Sequence, residues 1–269
     1  MAIVALNSAA TGLRALSTRI DVVANNLANA ETTAFKRSRM NFEDLMYLTL
    51  KQPGAQNAAG ELSPAGTFVG LGVKISNTQL DLEQGPLETT NRNLDVAING
   101  PGFFRIKVDP NLGDGFAYSR NGNFFKNKDN ELVLGMGDGY RVDPPISVPP
   151  DSVDVNISED GVVSVMRAGA IEKETVGQLN IYQFVNPQGL NLLGSSMYQE
   201  TAASGASIES KPKENAAGFL QQGFLEGSNV DPVKELVTLI KTQRSFEMNS
   251  QSIQTADQAL QTIGNLRRG

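Results

Sequence analysis

Near one end of this chain, Leu239, Thr242, Phe246, Asn249, Ile253, Ala256, Leu260 and Ile263 follow one another three and four residues apart. That alternation aligns them along one side of an α-helix. A helix with one such stripe cannot cover it alone, so the stripe demands a partner surface. Asp231 is a good N-cap for this helix, and Pro232 takes the first helical position, where its missing N–H costs nothing. Lys234 stands where Glu or Gln would complete a capping box. Arg267 and Arg268 suit the negative end of the helix dipole.

The same alternation returns at the other end, in Leu6, Ala9, Leu13, Leu16, Ile20, Val23 and Leu27. It predicts a helix about 40 Å long at roughly 1.5 Å per residue. Two readings are open. Each stripe packs on the middle of one globule, or the termini form a coiled coil with each other and with neighbouring copies. Asn25, Asn26 and Asn29, clustered around Leu27, read as C-capping and turn chemistry.

Composition narrows the chemistry. The 269 residues include no Cys, no His and no Trp. Thiolate and imidazole metal sites, disulfides and Ser–His triads are therefore impossible. The net charge of -6 argues against a nucleic-acid partner, and Lys36, Arg37 and Arg39 form too short a basic cluster to change that. No run approaches the ~18 apolar residues needed to span a bilayer, so no membrane insertion is expected. The opening MAIVALNSAATGLRALSTR lacks a basic n-region and spaces its apolar residues helically, so it reads as mature structure. Export, if it occurs, needs a route without a cleaved Sec signal.

Between the helices the period changes. In residues 36–52, Phe42, Leu45, Met46, Leu48 and Thr49 suit a short helix. The following PGAQNAAGELSPAGTFVGLG reads as a loop or extended arm, with Tyr47 just ahead of it. From Val73 alternation in twos predicts many short strands, with Asn99–Gly100, Asn121–Gly122, Asp138–Gly139 and Asp160–Gly161 as hairpin turns. Residues 200–217 read as a second extended arm. The expected fold is α+β: a mainly antiparallel β domain with long terminal helices forming a coiled-coil layer. The expected segments are a helix in 1–35, an arm in 36–72, a β-rich outer domain in 73–225 and a helix in 226–269.

Motifs for catalysis are weak. Gly135–Met136–Gly137–Asp138–Gly139 lacks the following helix that a phosphate loop requires. Asp109–Gly115 begins like a calcium loop but has Asp114 and Arg120 at the places of its Gly and Glu. Asp95, Asp129, Glu131, Asp143, Asp154, Glu159 and Asp160 leave a glycosidase open only if two of them face one bond. No cofactor is implied.

Four blocks then carry a resemblance. Ala24–Asn29 with Thr32 and Phe35–Arg37 comes first. Asp95–Phe104 and Tyr118–Phe124 with Leu132–Val133 follow, and Ser228–Asp231, Glu235–Val237, Gln243–Glu247 and Asn249 close the series. Together they are similar to the signatures of the bacterial flagellar axial proteins, which build the rod and hook. Phe42–Tyr47 with Gln52–Gln56 resembles the stretch that marks the distal-rod branch of that family. Ala34 departs from the pattern, which has Gly there; Gly takes positive φ freely and Ala resists it. Pro101 sits within the Gly–x–Gly of the core motif, at a variable place.

The resemblance implies a non-enzymatic, helically polymerising subunit of the flagellar basal body, crossing the periplasm and transmitting torque from motor to hook. Its implied partners are itself, the proximal rod and hook-side axial proteins, and the surrounding periplasmic and outer-membrane rings. Self-assembly is expected to use Leu6, Leu13, Leu16, Ile20 and Leu27 against Leu239, Phe246, Ile253, Leu260 and Ile263, with Phe42, Leu45 and Tyr47 in the arm. A hook or proximal rod protein is the alternative within the family. A secreted carbohydrate-active β enzyme and a monomeric β adhesin are the alternatives outside it.

Overall fold

The computed structural model describes residues 2–54, 56, 62–109, 115–136, 139–169 and 172–266, with side chains at 2, 3, 263, 265 and 266 outside the description. The chain is α+β with mostly antiparallel strands and a helix near each end. It divides into two compact units.

Unit 1 gathers residues 1–28, 38–79 and 231–269. Helix α1 (Ala2–Ala28) comes first, and α2 (Pro232–Leu266) comes last. Asp231 caps α2 as expected: its Oδ1 accepts the amides of Val233 at 3.0 Å and Lys234 at 3.2 Å. Between the helices lie β1 (Ser38–Asp44), β2 (Tyr47–Lys51), β3 (Thr67–Gly70) and β4 (Val73–Leu80). β1 pairs with β4, and β2 pairs with β3. The short helix expected in 36–52 is therefore not formed. Leu45 lies between β1 and β2 and donates its N–H to Gly72 O at 2.8 Å, which holds the chain extended where helical spacing alone suggested a turn.

Gly72 fixes the return to β4. Its φ is +117°, and a Cβ there would stand 2.2 Å from Thr11 Oγ1 on α1. Only Gly tolerates both the conformation and the approach. Ser8 Oγ donates to Gly70 O and Val73 N donates to Thr11 Oγ1, so α1 is pinned to the β3–β4 turn.

Unit 2 holds residues 29–37 and 80–230. Its strands are β5 (Leu87–Thr89), β6 (Val96–Asn99), β7 (Phe104–Lys107), β8 (Phe116–Ser119), β9 (Phe124–Lys126), β10 (Leu132–Leu134), β11 (Arg141–Asp143) and β12 (Ser152–Ile157). Then come β13 (Val162–Arg167), β14 (Glu174–Gln178), β15 (Ile181–Gln183), β16 (Asn191–Gly194), β17 (Met197–Gln199), β18 (Ile208–Ser210), β19 (Phe219–Gln222) and β20 (Phe224–Glu226). A seven-stranded sheet runs β16-β17-β8-β7-β11-β10-β9, a three-stranded one runs β12-β13-β14, and β15-β18, β19-β6 and β20-β5 pair separately. Their inward residues, among them Ile98, Phe104, Ile106, Phe124, Leu132 and Ile181, form one buried cluster. A second cluster joins Phe103, Tyr118, Tyr182, Phe184 and Tyr198, with rings meeting edge to face.

One expected hairpin turn is real: Gly161, at φ +83°, turns β12 into β13. Asp138 of the expected Asp138–Gly139 turn lies outside the described residues. Asn121–Gly122 joins no hairpin, because β8 and β9 are not neighbours in the sheet. Gly122 is required for another reason: a Cβ there would stand 1.7 Å from Val96 O, whose residue donates its N–H to Gly122 O. Asn99–Gly100 likewise leaves one sheet for another. Residues 200–217 are no arm either. They include β18, which pairs with β15, and Tyr118 Oη donates to Ser207 Oγ at 2.8 Å.

Candidate functional site

The expected helix stripes lie in unit 1, where α1 packs against α2. On α1, Leu6, Leu13, Leu16, Ile20 and Leu27 are half-buried and Val23 is buried. On α2, Thr242 is buried, while Leu239, Phe246, Ile253 and Leu260 are half-buried. Ile263 and the two terminal arginines fall outside the described side chains. Gly12 permits the close approach: a Cβ added there would stand 3.3 Å from Asn249 Nδ2. In the expected arm, Phe42 is half-buried under the guanidinium of Arg19, Leu45 is half-buried, and Tyr47 is exposed. One helix pair thus leaves most of the stripe only half covered.

Asn26 does more than cap a helix end. It is 1% exposed, its Nδ2 donates to Ser38 O at 2.8 Å, and its Oδ1 accepts Ser38 N–H at 3.0 Å. The same Nδ2 reaches Glu235 Oε2 at 3.4 Å. One side chain therefore ties the end of α1 to the start of β1 and the first turn of α2. The reading of Asn26 as turn chemistry is corrected here: a buried amide satisfies a buried backbone pair.

Unit 2 has its own tie, which periodicity could not reveal. Glu226 is fully buried and accepts from Lys36 Nζ at 2.5 Å, Arg120 Nε at 2.7 Å and Gly85 N at 3.0 Å. Its backbone oxygen accepts Ala34 N–H at 2.8 Å. Lys36 Nζ also donates to Glu83 O, and Arg120 donates to the carbonyls of Ile98, Gly100 and Gly102. Burial pushes the Lys36 amine below its usual range, although Glu226 beside it pulls the other way. Asn229 completes the junction by accepting Arg37 N–H and donating to Asp81 O. The basic run at 36–37, set aside as a nucleic-acid patch, is thus an internal anchor. Its only signal in the sequence was that Lys36, Arg120 and Asn229 sit in three of the family-like blocks.

The departure at position 34 has a definite outcome. Ala34 adopts φ +56° and is fully buried, so the left-handed backbone is kept without Gly. In the core motif, Gly100 at +110° and Gly102 at +136° are both needed, and a Cβ on Gly102 would stand 2.0 Å from Ile181 Cγ2. Pro101, between these two constrained glycines, is exposed.

The buried Lys36–Glu226–Arg120 group joins distant segments, and the longest apolar stripe is shared between the two ends of the chain. These are the features of a structural subunit whose working parts are surfaces. Comparison with known proteins makes that class specific. Residues 6–36 match the family model described as flagella basal body rod protein, residues 97–165 match the flagellar hook protein FlgE/F/G D1 domain, and residues 221–266 match the flagellar basal body rod FlgEFG protein C-terminal. The flagellar basal-body rod protein FlgG of Buchnera aphidicola subsp. Schizaphis graminum is 45% identical over 95% of this chain and 96% of its own length. Those of Borreliella burgdorferi and Bacillus subtilis are 43% and 38% identical, each over 98% of both chains. The chain belongs to the flagellar basal-body rod protein family. That family consists of structural components, not enzymes.

Proposed function

We infer that this chain is a subunit of the distal rod of the bacterial flagellar basal body, where copies polymerise into a helical tube that carries torque from motor to hook. The observation that carries the reading is the half-covered stripe shared by α1 and α2, in a chain matched end to end by rod proteins. In the tube, the helical segments 1–35 and 226–269 of neighbouring copies complete each other as a coiled-coil layer. Leu6, Leu13, Leu16, Ile20 and Leu27 face Leu239, Phe246, Ile253, Leu260 and Ile263 there. The β-rich segment 73–225 forms the outer layer, and the arm 36–72, through Phe42, Leu45 and Tyr47, meets neighbours and sets stiffness. A contact that repeats without closing gives such a filament from one kind of chain.

The end partners of the tube are the proximal rod and hook-side axial proteins, with the periplasmic and outer-membrane rings around it. Among the described residues no helix is long and apolar enough to cross a membrane. The test is sedimentation and negative-stain imaging of the purified chain across a concentration series. Tubes or filaments are expected at high concentration. A chain that stays monomeric at every concentration, alone and on isolated rods, defeats the reading.

A further inference from the structure

The shared stripe uses only one side of α2. On the other side its first turns carry Val233, Leu236, Val237 and Ile240, spaced i, i+3, i+4 and i+7. At about 100° per residue this row lies roughly opposite Thr242. All four side chains are exposed, Val233 to 69%. Further along the same side come Arg244, Glu247, Gln251, Gln254 and Gln258, with the exposed Met248 at its margin, so the continuous apolar row ends at Ile240. A helix segment that is apolar on two sides is built to be covered on both.

A second group of bare apolar side chains stands on the ribbon β2–β3. Tyr47, Leu48, Leu50 and Phe68 are each at least 47% exposed. β2 pairs with β3 alone, and every residue of β2 is exposed. A two-stranded ribbon of this kind is marginally stable by itself.

We propose that the ribbon β2–β3 of one copy docks on the Val233–Ile240 row of α2 in the next copy. The proposal rests on the reading that copies polymerise and names the surfaces that meet. Row on row, or ribbon on ribbon, is an isologous contact that closes at a dimer. Two unlike patches on one chain make a heterologous contact that can repeat indefinitely. The row is about 11 Å long at 1.5 Å per residue, and β2 from Tyr47 to Lys51 spans about 14 Å at 3.4 Å per residue, so the ribbon is long enough to cover the row. Leu48, opposite Val69 in the register, marks the ribbon face that meets the row, while Tyr47 and Phe68 lie on the other face.

The chain contains no cysteine, so introduced cysteines report the contact without background. Leu48→Cys and Ile240→Cys are made as separate proteins, polymerised alone and as an equal mixture, oxidised, and run on a non-reducing gel. A cross-linked dimer is expected in the mixture and in neither protein alone. Leu48→Cys mixed with Val237→Cys should behave alike, and Thr49→Cys, on the opposite face of the ribbon, mixed with Ile240→Cys should give at least tenfold less product. Cross-linking of either protein with itself in place of the mixed product overturns the proposal, and so does polymer without mixed product. Both outcomes leave the rod reading standing. If the unsubstituted chain does not sediment, that reading fails and the proposal with it. Ile240→Asp gives an independent check: it should cut the sedimented fraction at least tenfold with helix content unchanged, and undiminished sedimentation would count decisively against the contact.

Discussion

Lys36 Nζ lies 2.5 Å from Glu226 Oε1, and the two residues stand 190 positions apart in the chain. Both side chains are fully buried, and Arg120 holds the other carboxylate oxygen. A single carboxylate thus serves two buried cations, the three residues coming from three separate parts of the sequence. Charges taken out of water are tolerated only when paired and hydrogen-bonded, so this junction is highly unequal in what each member costs to lose.

Glu226→Gln leaves two buried cations without their anion and should destabilise the chain by about 3–5 kcal/mol. Lys36→Met leaves Glu226 paired with Arg120 and should fall within about 2 kcal/mol of the parent. Urea unfolding of the three proteins checks the order, and equal costs would contradict it. There is also a pH signature. The folded-state pKa of Lys36 is lowered by burial, so the unfolded chain binds that proton more readily. Stability should rise with pH between the lowered value and roughly 10.4, and Lys36→Met should lose that rise.

Ala34 already occupies the left-handed region and is sealed from solvent. Ala34→Val puts a β-branched side chain into that backbone and into a site with no room. It should cost more than about 2 kcal/mol. Ala34→Gly relieves the backbone but loses a buried methyl worth about 0.8 kcal/mol, so it should lie within about 1 kcal/mol of the parent. Thermal melts of both variants decide the matter, with Gly well above Val.

Ile253→Asp sets a charge in the middle of the α2 stripe. Polymer should disappear from the sedimented fraction. The near-ultraviolet dichroism of the tyrosine cluster at Tyr118, Tyr182 and Tyr198 should persist, because those rings pack within unit 2. Normal growth of filaments from this variant would remove the stripe from the assembly model.

Asp231 is held below the usual carboxylate range by the Lys234 amide, with the Lys234 side chain and the Val233 amide adding to it. A lowered folded-state pKa gives stability that is complete above the unfolded value, near 3.9, and lost as pH falls through the folded one. Helix content read at 222 nm should therefore decline below about pH 4 faster than in Asp231→Asn, whose cap does not titrate. Identical acid profiles would assign the loss to other carboxylates.

How much of this was legible beforehand depended on the range of each interaction. The stripes on α1 and α2, the Asp231 cap and the β character of the middle follow from spacing within a few residues, and the structure places them where spacing put them. The four family-like blocks were legible too, but not what each does. Lys36 reads as a surface cation and Asn26 as a turn former until Glu226 and Ser38 are seen beside them.

The amino-acid order by itself determined the two terminal helices, the apolar side of each and the Asp231 cap, because these depend on local periodicity and local hydrogen bonding. Only the tertiary structure decided the strand order, the extended course of residues 38–51, and which distant side chains share one buried carboxylate. Those choices come from pairing between segments far apart in the chain. Their energy arises when water is excluded from both partners at once, and no short window of sequence contains both.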